Sequence, residues 1–131
     1  MIAAALSLLL AADAGATGPT IPIRVPVASF IVSPGKPVTH IEAMRTEFLP
    51  GQTMPEHMHP VPVVCFVAKG SFVYSIGDDP VRTANAGEAT IEPAGAIVHY
   101  FRNASATETG ALNCMFLVGP DDKQLSVMLN K

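Results

Sequence analysis

Three histidines are the residues whose types and spacing most clearly suggest chemistry in this sequence. His57 and His59 are separated by one residue, and His99 follows a Pro-x-Gly turn further along the chain. In a strand, side chains at i and i+2 project from the same face, so His57 and His59 can converge on one ion. Imidazole nitrogens suit a divalent Fe, Zn, Ni, Mn or Cu ion. By itself, the pair also fits two surface imidazoles at an exposed strand end.

Adding His99 gives a predicted three-histidine metal site with open coordination positions. Such an arrangement is typical of a reactive metal centre rather than a closed structural one. Glu92 ends a predicted strand one residue before Pro93. Its carboxylate could bind the metal, accept a hydrogen bond from an imidazole, or act as a base toward substrate, and we take it as the candidate catalytic residue. An exposed strand-end carboxylate stays the alternative, because the following turn breaks the strand register.

Cys65 shares the strand parity of His57 and His59. Three interpretations of this residue stay open: a buried hydrophobe, one half of a disulfide with Cys114, or a soft metal ligand. Two cysteines alone do not establish an oxidising compartment.

The elements that must position these residues are predicted to be strands throughout. After residue 20, short runs rich in Val, Ile, Phe and Thr alternate with Gly, Pro and Asp, and no stretch keeps a helical period. This pattern is typical of an antiparallel sandwich or a closed barrel. The predicted strands are Arg24–Val32, Val38–Phe48, Val63–Lys69, Ser71–Ile76, Ala89–Glu92, Ile97–Asn103, Ala111–Val118 and Leu125–Leu129.

Two segments of the chain resemble the two sequence motifs of the cupin superfamily. The first comprises Gly51, His57-x-His59 and Gly70; the second comprises Gly87, Pro93-x-Gly95, His99 and Asn103. The wider set of features resembles the small, single-domain, quercetin-dioxygenase-like cupins. The resemblance implies an all-β, antiparallel jelly-roll β-barrel whose interior holds a divalent metal on three histidines and usually one glutamate.

The chain departs from the cupin pattern at two places. Val63 stands where the family glutamate is expected, and three residues rather than two separate Gly95 from His99. We expect Val63 to point into the barrel near the metal. Three neutral imidazoles would leave the full charge on a divalent ion, which favours a chelating anion such as an enolate, phenolate or carboxylate.

The resemblance implies a metal-dependent dioxygenase acting on a small, chelating, anionic molecule. A metal-dependent isomerase or hydrolase, and a small-molecule-binding protein without catalysis, are the alternatives, because a fold alone does not choose among them. Cupins also commonly dimerise, and the Arg24–Val32 strand is a natural edge for a homodimer.

Composition limits the partners and the domain organisation. The chain has 131 residues, which suits one domain, and a formal charge of −3 without a basic cluster, which argues against nucleic-acid binding. Residues 1–16 are predicted to be a signal peptide, with the cupin domain in residues 17–131. The apolar run Ile2–Ala12 is too short to span a bilayer and is followed by small-residue cleavage sites. We therefore expect a periplasmic or secreted protein that is not in the membrane in its mature form.

The absence of a cation before Arg24 is atypical of a signal peptide. The alternative interpretation of the N-terminal run is an apolar helix that packs on the domain.

Overall fold

The computed structural model describes residues 22–32 and 36–129, and in these ranges the chain forms ten strands that pair antiparallel. The strands are β1 (His40–Phe48), β2 (Thr53–Met54), β3 (His57–Met58), β4 (Val63–Lys69), β5 (Ser71–Ile76), β6 (Arg82–Asn85), β7 (Ala89–Glu92), β8 (Ile97–Asn103), β9 (Gly110–Val118) and β10 (Val127–Met128). One sheet has the order β1-β9-β4-β7. The other has the order β10-β3-β8-β5-β6, with β2 also paired to β8.

The two sheets bury their inner faces against each other. Strand β4 illustrates the pattern, because Val63, Cys65 and Val67 are buried while Phe66 between them is exposed. Burying a Val or Phe side chain fully stabilises a fold by about 1.5–3 kcal/mol relative to leaving it in water. The other core residues include Phe48, Val61, Phe72, Val98, Phe101, Leu112, Phe116 and Val118. The predicted all-β jelly-roll barrel is confirmed.

Most of the predicted strands lie where the sequence pattern placed them. The bounds of β4, β5, β7 and β8 agree with the prediction at both ends. The prediction of a strand at Arg24–Val32 is wrong, because residues 22–32 are largely exposed and form no ladder. Pro22 and Pro26 lie in or beside this segment, and proline cannot donate to a ladder. The proposed edge for a homodimer is therefore not a strand, and dimerisation itself stays a prediction.

The predicted signal peptide, residues 1–16, lies outside the described residues. Within residues 22–32 and 36–129, no helix is long and apolar enough to cross a membrane.

Asn103 ties the end of β8 to two neighbouring loops. The side chain is buried, and its amide nitrogen donates to the backbone oxygens of Leu49 and Glu108 at 3.1 and 2.8 Å. Its amide oxygen accepts a hydrogen bond from the Ser105 backbone nitrogen at 3.0 Å. Asn103, the last residue of the second cupin-like segment, therefore has a structural role.

Replacing Asn103 with alanine should lower the free energy of unfolding by about 2–4 kcal/mol, because each of the lost hydrogen bonds contributes roughly 1 kcal/mol and the buried side chain leaves a cavity. Urea unfolding followed by circular dichroism measures this change. Asn113→Ala is the matched control, since Asn113 is exposed on β9 and should change stability by less than about 0.5 kcal/mol. Equal stability of the two variants would contradict the assigned role of Asn103.

Candidate metal centre

His57 and His59 are buried side by side inside the barrel, and each ring is held by a backbone carbonyl. His57 Nδ1 lies 2.7 Å from the Pro55 oxygen, and His59 Nδ1 lies 2.7 Å from the Leu125 oxygen. A carbonyl oxygen can only accept, so we assign the proton of each neutral ring to Nδ1. The Nε2 atom of each ring then carries a lone pair, which is the arrangement of histidines that bind metals.

Glu92, at the end of β7, supplies a third acceptor to the same place. Its side chain is 5% exposed, and Oε2 lies 2.8 Å from His59 Nε2 and 4.0 Å from His57 Nε2. With both Nε2 atoms unprotonated, Oε2 has no hydrogen-bond donor among the described residues. The three ligand atoms all lie within 4.8 Å of one another. Two imidazole lone pairs and a carboxylate oxygen, buried together without a donor, fit a divalent cation.

The pKa of His59 reflects these surroundings. Burial lowers this pKa, but the hydrogen bond that a protonated Nε2 would make to Glu92, the negative charge of Glu92 and the Leu125 carbonyl together raise it above the ordinary value of 6.5. Glu92 thus favours the binding of a proton at His59 Nε2. A divalent ion would take the place of that proton.

The turn after β7 positions His59. The Gly95 backbone nitrogen donates to the His59 oxygen at 2.8 Å, and Gly95 has a φ of 77°, in the left-handed region that favours glycine. The Pro93-x-Gly95 turn thus holds the backbone of His59 in place. The C-terminal segment contacts the imidazole ring of His59, because Ser126 Oγ lies 3.0 Å from its Nδ1 atom. The spacing of the sequence motifs did not predict that Leu125 and Ser126 would contact the His59 ring.

Val63 faces the site as expected. It is buried, lines the same cavity as the two histidines, and pairs directly with Glu92 across the β4–β7 ladder. The cupin pattern places a carboxylate at position 63. In this chain, Glu92 supplies a carboxylate from the paired position on the adjacent strand β7.

The structure does not bring His99 together with His57 and His59, so its place in the predicted three-histidine site is corrected. Its side chain is 42% exposed, with Nδ1 3.0 Å from Glu56 Oε2 and Nε2 3.2 Å from the Gly77 oxygen. Glu56 precedes His57 and faces away from the cavity.

A β-bulge explains the outward direction of His99. The pairing of β8 with β5 passes from Tyr100↔Ser75 to Val98↔Ile76, so β8 contains one extra residue at His99. Val98 takes the inward position and is fully buried. The segment between Gly95 and His99 is one residue longer than in the cupin pattern. Strand β8 takes up this extra residue as a bulge.

Cys65 and Cys114 form a disulfide between β4 and β9, where they are directly opposite each other. Of the three interpretations of Cys65, the structure supports one half of a disulfide with Cys114. Both cysteines line the metal-site cavity, and Cys65 Sγ lies 4.0 Å from Glu92 Oε1.

The cavity beside the three acceptors has a volume of about 270 Å³. Among the described residues that line it, none is a lysine or arginine, and Glu92 is the one carboxylate. The apolar lining residues are Met44, Phe48, Met54, Val63, Phe101, Leu112, Phe116 and Met128. The arrangement is a largely apolar pocket with a small polar end formed by His57, His59 and Glu92.

Comparison with known proteins assigns the family. The cupin domain profile matches residues 44–115, which is more than half of the chain. The chain belongs to the cupin superfamily. No curated protein sequence matches this cupin closely enough to count as a relative.

Solved structures with the same fold include enzymes. An oxalate oxidase in complex with the substrate analogue glycolate is 24% identical, with a TM-score of 0.58, over 68% of this chain and 46% of that chain. A DMSP lyase from Ruegeria pomeroyi DSS-3 is 17% identical, with a TM-score of 0.57, over 67% and 42% of the two chains.

A third neighbour is closer to this cupin in length. It is an uncharacterized conserved protein with a double-stranded β-helix domain from Klebsiella pneumoniae, 21% identical, with a TM-score of 0.57. The alignment covers 70% of this chain and 76% of that one. The match spans less than half of the oxalate oxidase and of the DMSP lyase. At these identities, the likeness shows the fold alone.

Proposed function

We propose that this cupin is a metal-dependent oxygenase with His57, His59 and Glu92 as its metal ligands. One observation carries the proposal: three buried acceptor atoms lie within 4.8 Å of one another, and Glu92 Oε2 lacks a donor. Two histidines and one carboxylate with open positions are typical of non-haem Fe(II) oxygenases. Bound iron would supply the sites at which substrate and O₂ meet.

The protein residues would set the charge and the shape of this site. Glu92 cancels one of the two positive charges of a divalent ion, so the site is less electrophilic than the three-imidazole centre expected from the sequence. The carbonyls of Pro55 and Leu125 fix both imidazoles before metal binds, because they hold each Nδ1 proton. The apolar walls keep water away from the reacting end of the cavity.

The pocket favours a small monoanionic chelator with an apolar body. One negative charge on the substrate balances the charge left on a divalent ion by Glu92, and no lysine or arginine among the described lining residues could neutralise a second one. Phe48, Leu112 and Phe116 offer apolar contact to the rest of the molecule. Enolates of β-diketones and phenolates of flavonols have this character.

Metal analysis followed by O₂ uptake tests the proposal. Protein loaded anaerobically with Fe(II) should bind one ion per chain and consume O₂ with at least one member of a panel of β-diketones and flavonols. Metal-free protein and the His59→Ala variant are the controls, and neither should consume O₂. Chelator binding without O₂ uptake in the iron, zinc, nickel, manganese and copper forms would overturn the oxygenase proposal in favour of a binding protein or a Lewis-acid enzyme.

Charge selection by the pocket gives a further expectation. A monoanionic β-diketonate should compete for the metal-loaded site at least about tenfold better than oxalate, after correction for their affinities for the same free ion. A factor of ten is about 1.4 kcal/mol, and an uncompensated charge in an apolar pocket costs more than that. Competition measured by isothermal titration calorimetry gives the ratio. Equal corrected affinities would show that the pocket does not select on charge.

A further inference from the structure

The Cys65–Cys114 disulfide forms part of the wall of the proposed metal site, on which the following inference rests. Both sulfur-bearing residues line the cavity that contains His57, His59 and Glu92. Cys65 Sγ lies 4.0 Å from Glu92 Oε1. While the disulfide is intact, this sulfur is bonded to Cys114 and is a poor ligand, because the thiolate is the form that binds metals.

We propose that Cys65 is a latent metal ligand, released when the disulfide is reduced. The local geometry favours Cys65 over Cys114. Cys65 lies on β4, which pairs directly with β7, and it is diagonal to Glu92 on the buried face of that ladder. Cys114 lies on β9, one strand further from Glu92.

Release of the ligand needs two electrons and two protons. A dithiol reductant can supply them and is oxidised to its own disulfide, leaving thiols at Cys65 and Cys114. The Cys65 thiol then loses its proton when it binds the metal. The cavity that the disulfide lines reaches the protein surface, because Met44 and Met128, which also line it, are 45% and 43% exposed.

The two redox states would hold different metal sites. The oxidised protein offers two imidazoles and one carboxylate, with positions left for substrate. The reduced protein adds a thiolate, which completes four protein ligands, favours softer ions such as Zn²⁺, and cancels the remaining charge on the ion. Reduction should therefore strengthen Zn²⁺ binding and weaken binding of anionic chelators to the bound metal.

Cobalt(II) substitution tests this ligand directly, because a thiolate bound to Co²⁺ gives a near-ultraviolet charge-transfer band and an imidazole or carboxylate does not. Two variants form a matched pair. Cys114→Ser removes the disulfide and leaves Cys65 free, whereas Cys65→Ser removes the disulfide together with the proposed ligand. Wild-type protein is compared before and after treatment with a trialkylphosphine, which becomes the phosphine oxide as it leaves two thiols.

The band should appear in Cys114→Ser and in reduced wild-type protein, and should be absent from Cys65→Ser and from oxidised wild-type protein. Zn²⁺ affinity of Cys114→Ser should exceed that of Cys65→Ser by about 10-fold or more, since even indirect partners of a metal change affinity 10–100-fold. Co²⁺ binding to folded Cys114→Ser without the band would overturn the inference, as would an equal band in Cys65→Ser.

The failure of this inference can be distinguished from the failure of the proposed function. If oxidised wild-type protein binds no Co²⁺ at all, the His57–His59–Glu92 site itself is refuted. If either variant is unfolded by circular dichroism, a band that appears in wild-type protein only after reduction still shows that a freed cysteine binds the ion, and the absence of that band overturns the inference.

Discussion

Replacing His59 with alanine should lower the affinity for Fe²⁺ or Zn²⁺ by more than about 100-fold, because loss of a direct ligand exceeds the 10–100-fold effect of indirect partners. The same change should remove the stabilisation by metal. At a free-ion concentration of 100 times the dissociation constant, binding adds about 2.7 kcal/mol, which raises the Tm of a domain of this size by roughly 10 °C. Differential scanning fluorimetry with and without metal measures the effect.

His99→Ala is the control that separates this site from the three-histidine site. The His99 ring lies on the outer surface against Glu56, so its loss should leave metal affinity within about threefold of wild type and keep the metal-dependent rise in Tm. If His99→Ala loses metal as completely as His59→Ala, the His57–His59–Glu92 assignment is refuted.

Replacing Glu92 with glutamine should also weaken metal binding by about 100-fold or more, because a neutral amide oxygen takes the place of a charged ligand. The change keeps the size of the side chain, so its effect reports on charge and coordination rather than on packing. Competition with a chelator of known affinity measures the loss. Glu47→Gln, at an exposed position of β1, is the matched control and should bind metal like wild type.

Val63 allows a second test of the same carboxylate. Because Val63 and Glu92 are direct partners in the β4–β7 ladder and both face the cavity, a glutamate at position 63 should reach the ion from the opposite strand. The double variant Val63→Glu, Glu92→Gln should therefore recover at least about tenfold of the affinity lost in Glu92→Gln, since a charged ligand is restored. Unchanged metal affinity in Glu92→Gln alone would show that Glu92 is not a ligand, whatever the double variant does.

Local sequence patterns determined the strands and the first histidine pair. Short runs rich in Val, Ile and Phe between turn residues, such as Val63–Lys69 and Ile97–Asn103, set the strand type and bounds, and side chains along such a strand alternate between its two faces. The same alternation put His57 and His59 on one face. These features depend on neighbours within a few residues, which is the range over which a sequence pattern carries structural information.

Only the tertiary structure decided which other side chains meet that pair. A bulge in β8, visible only in its pairing with β5, turns His99 outward and Val98 inward. Glu92 enters the cavity because β7 pairs with β4 in a register that sets it opposite Val63, and Cys65 meets Cys114 because β4 and β9 are adjacent. Each outcome depends on the alignment of strands distant in sequence, and a shift of one residue in that alignment reverses which face a side chain occupies.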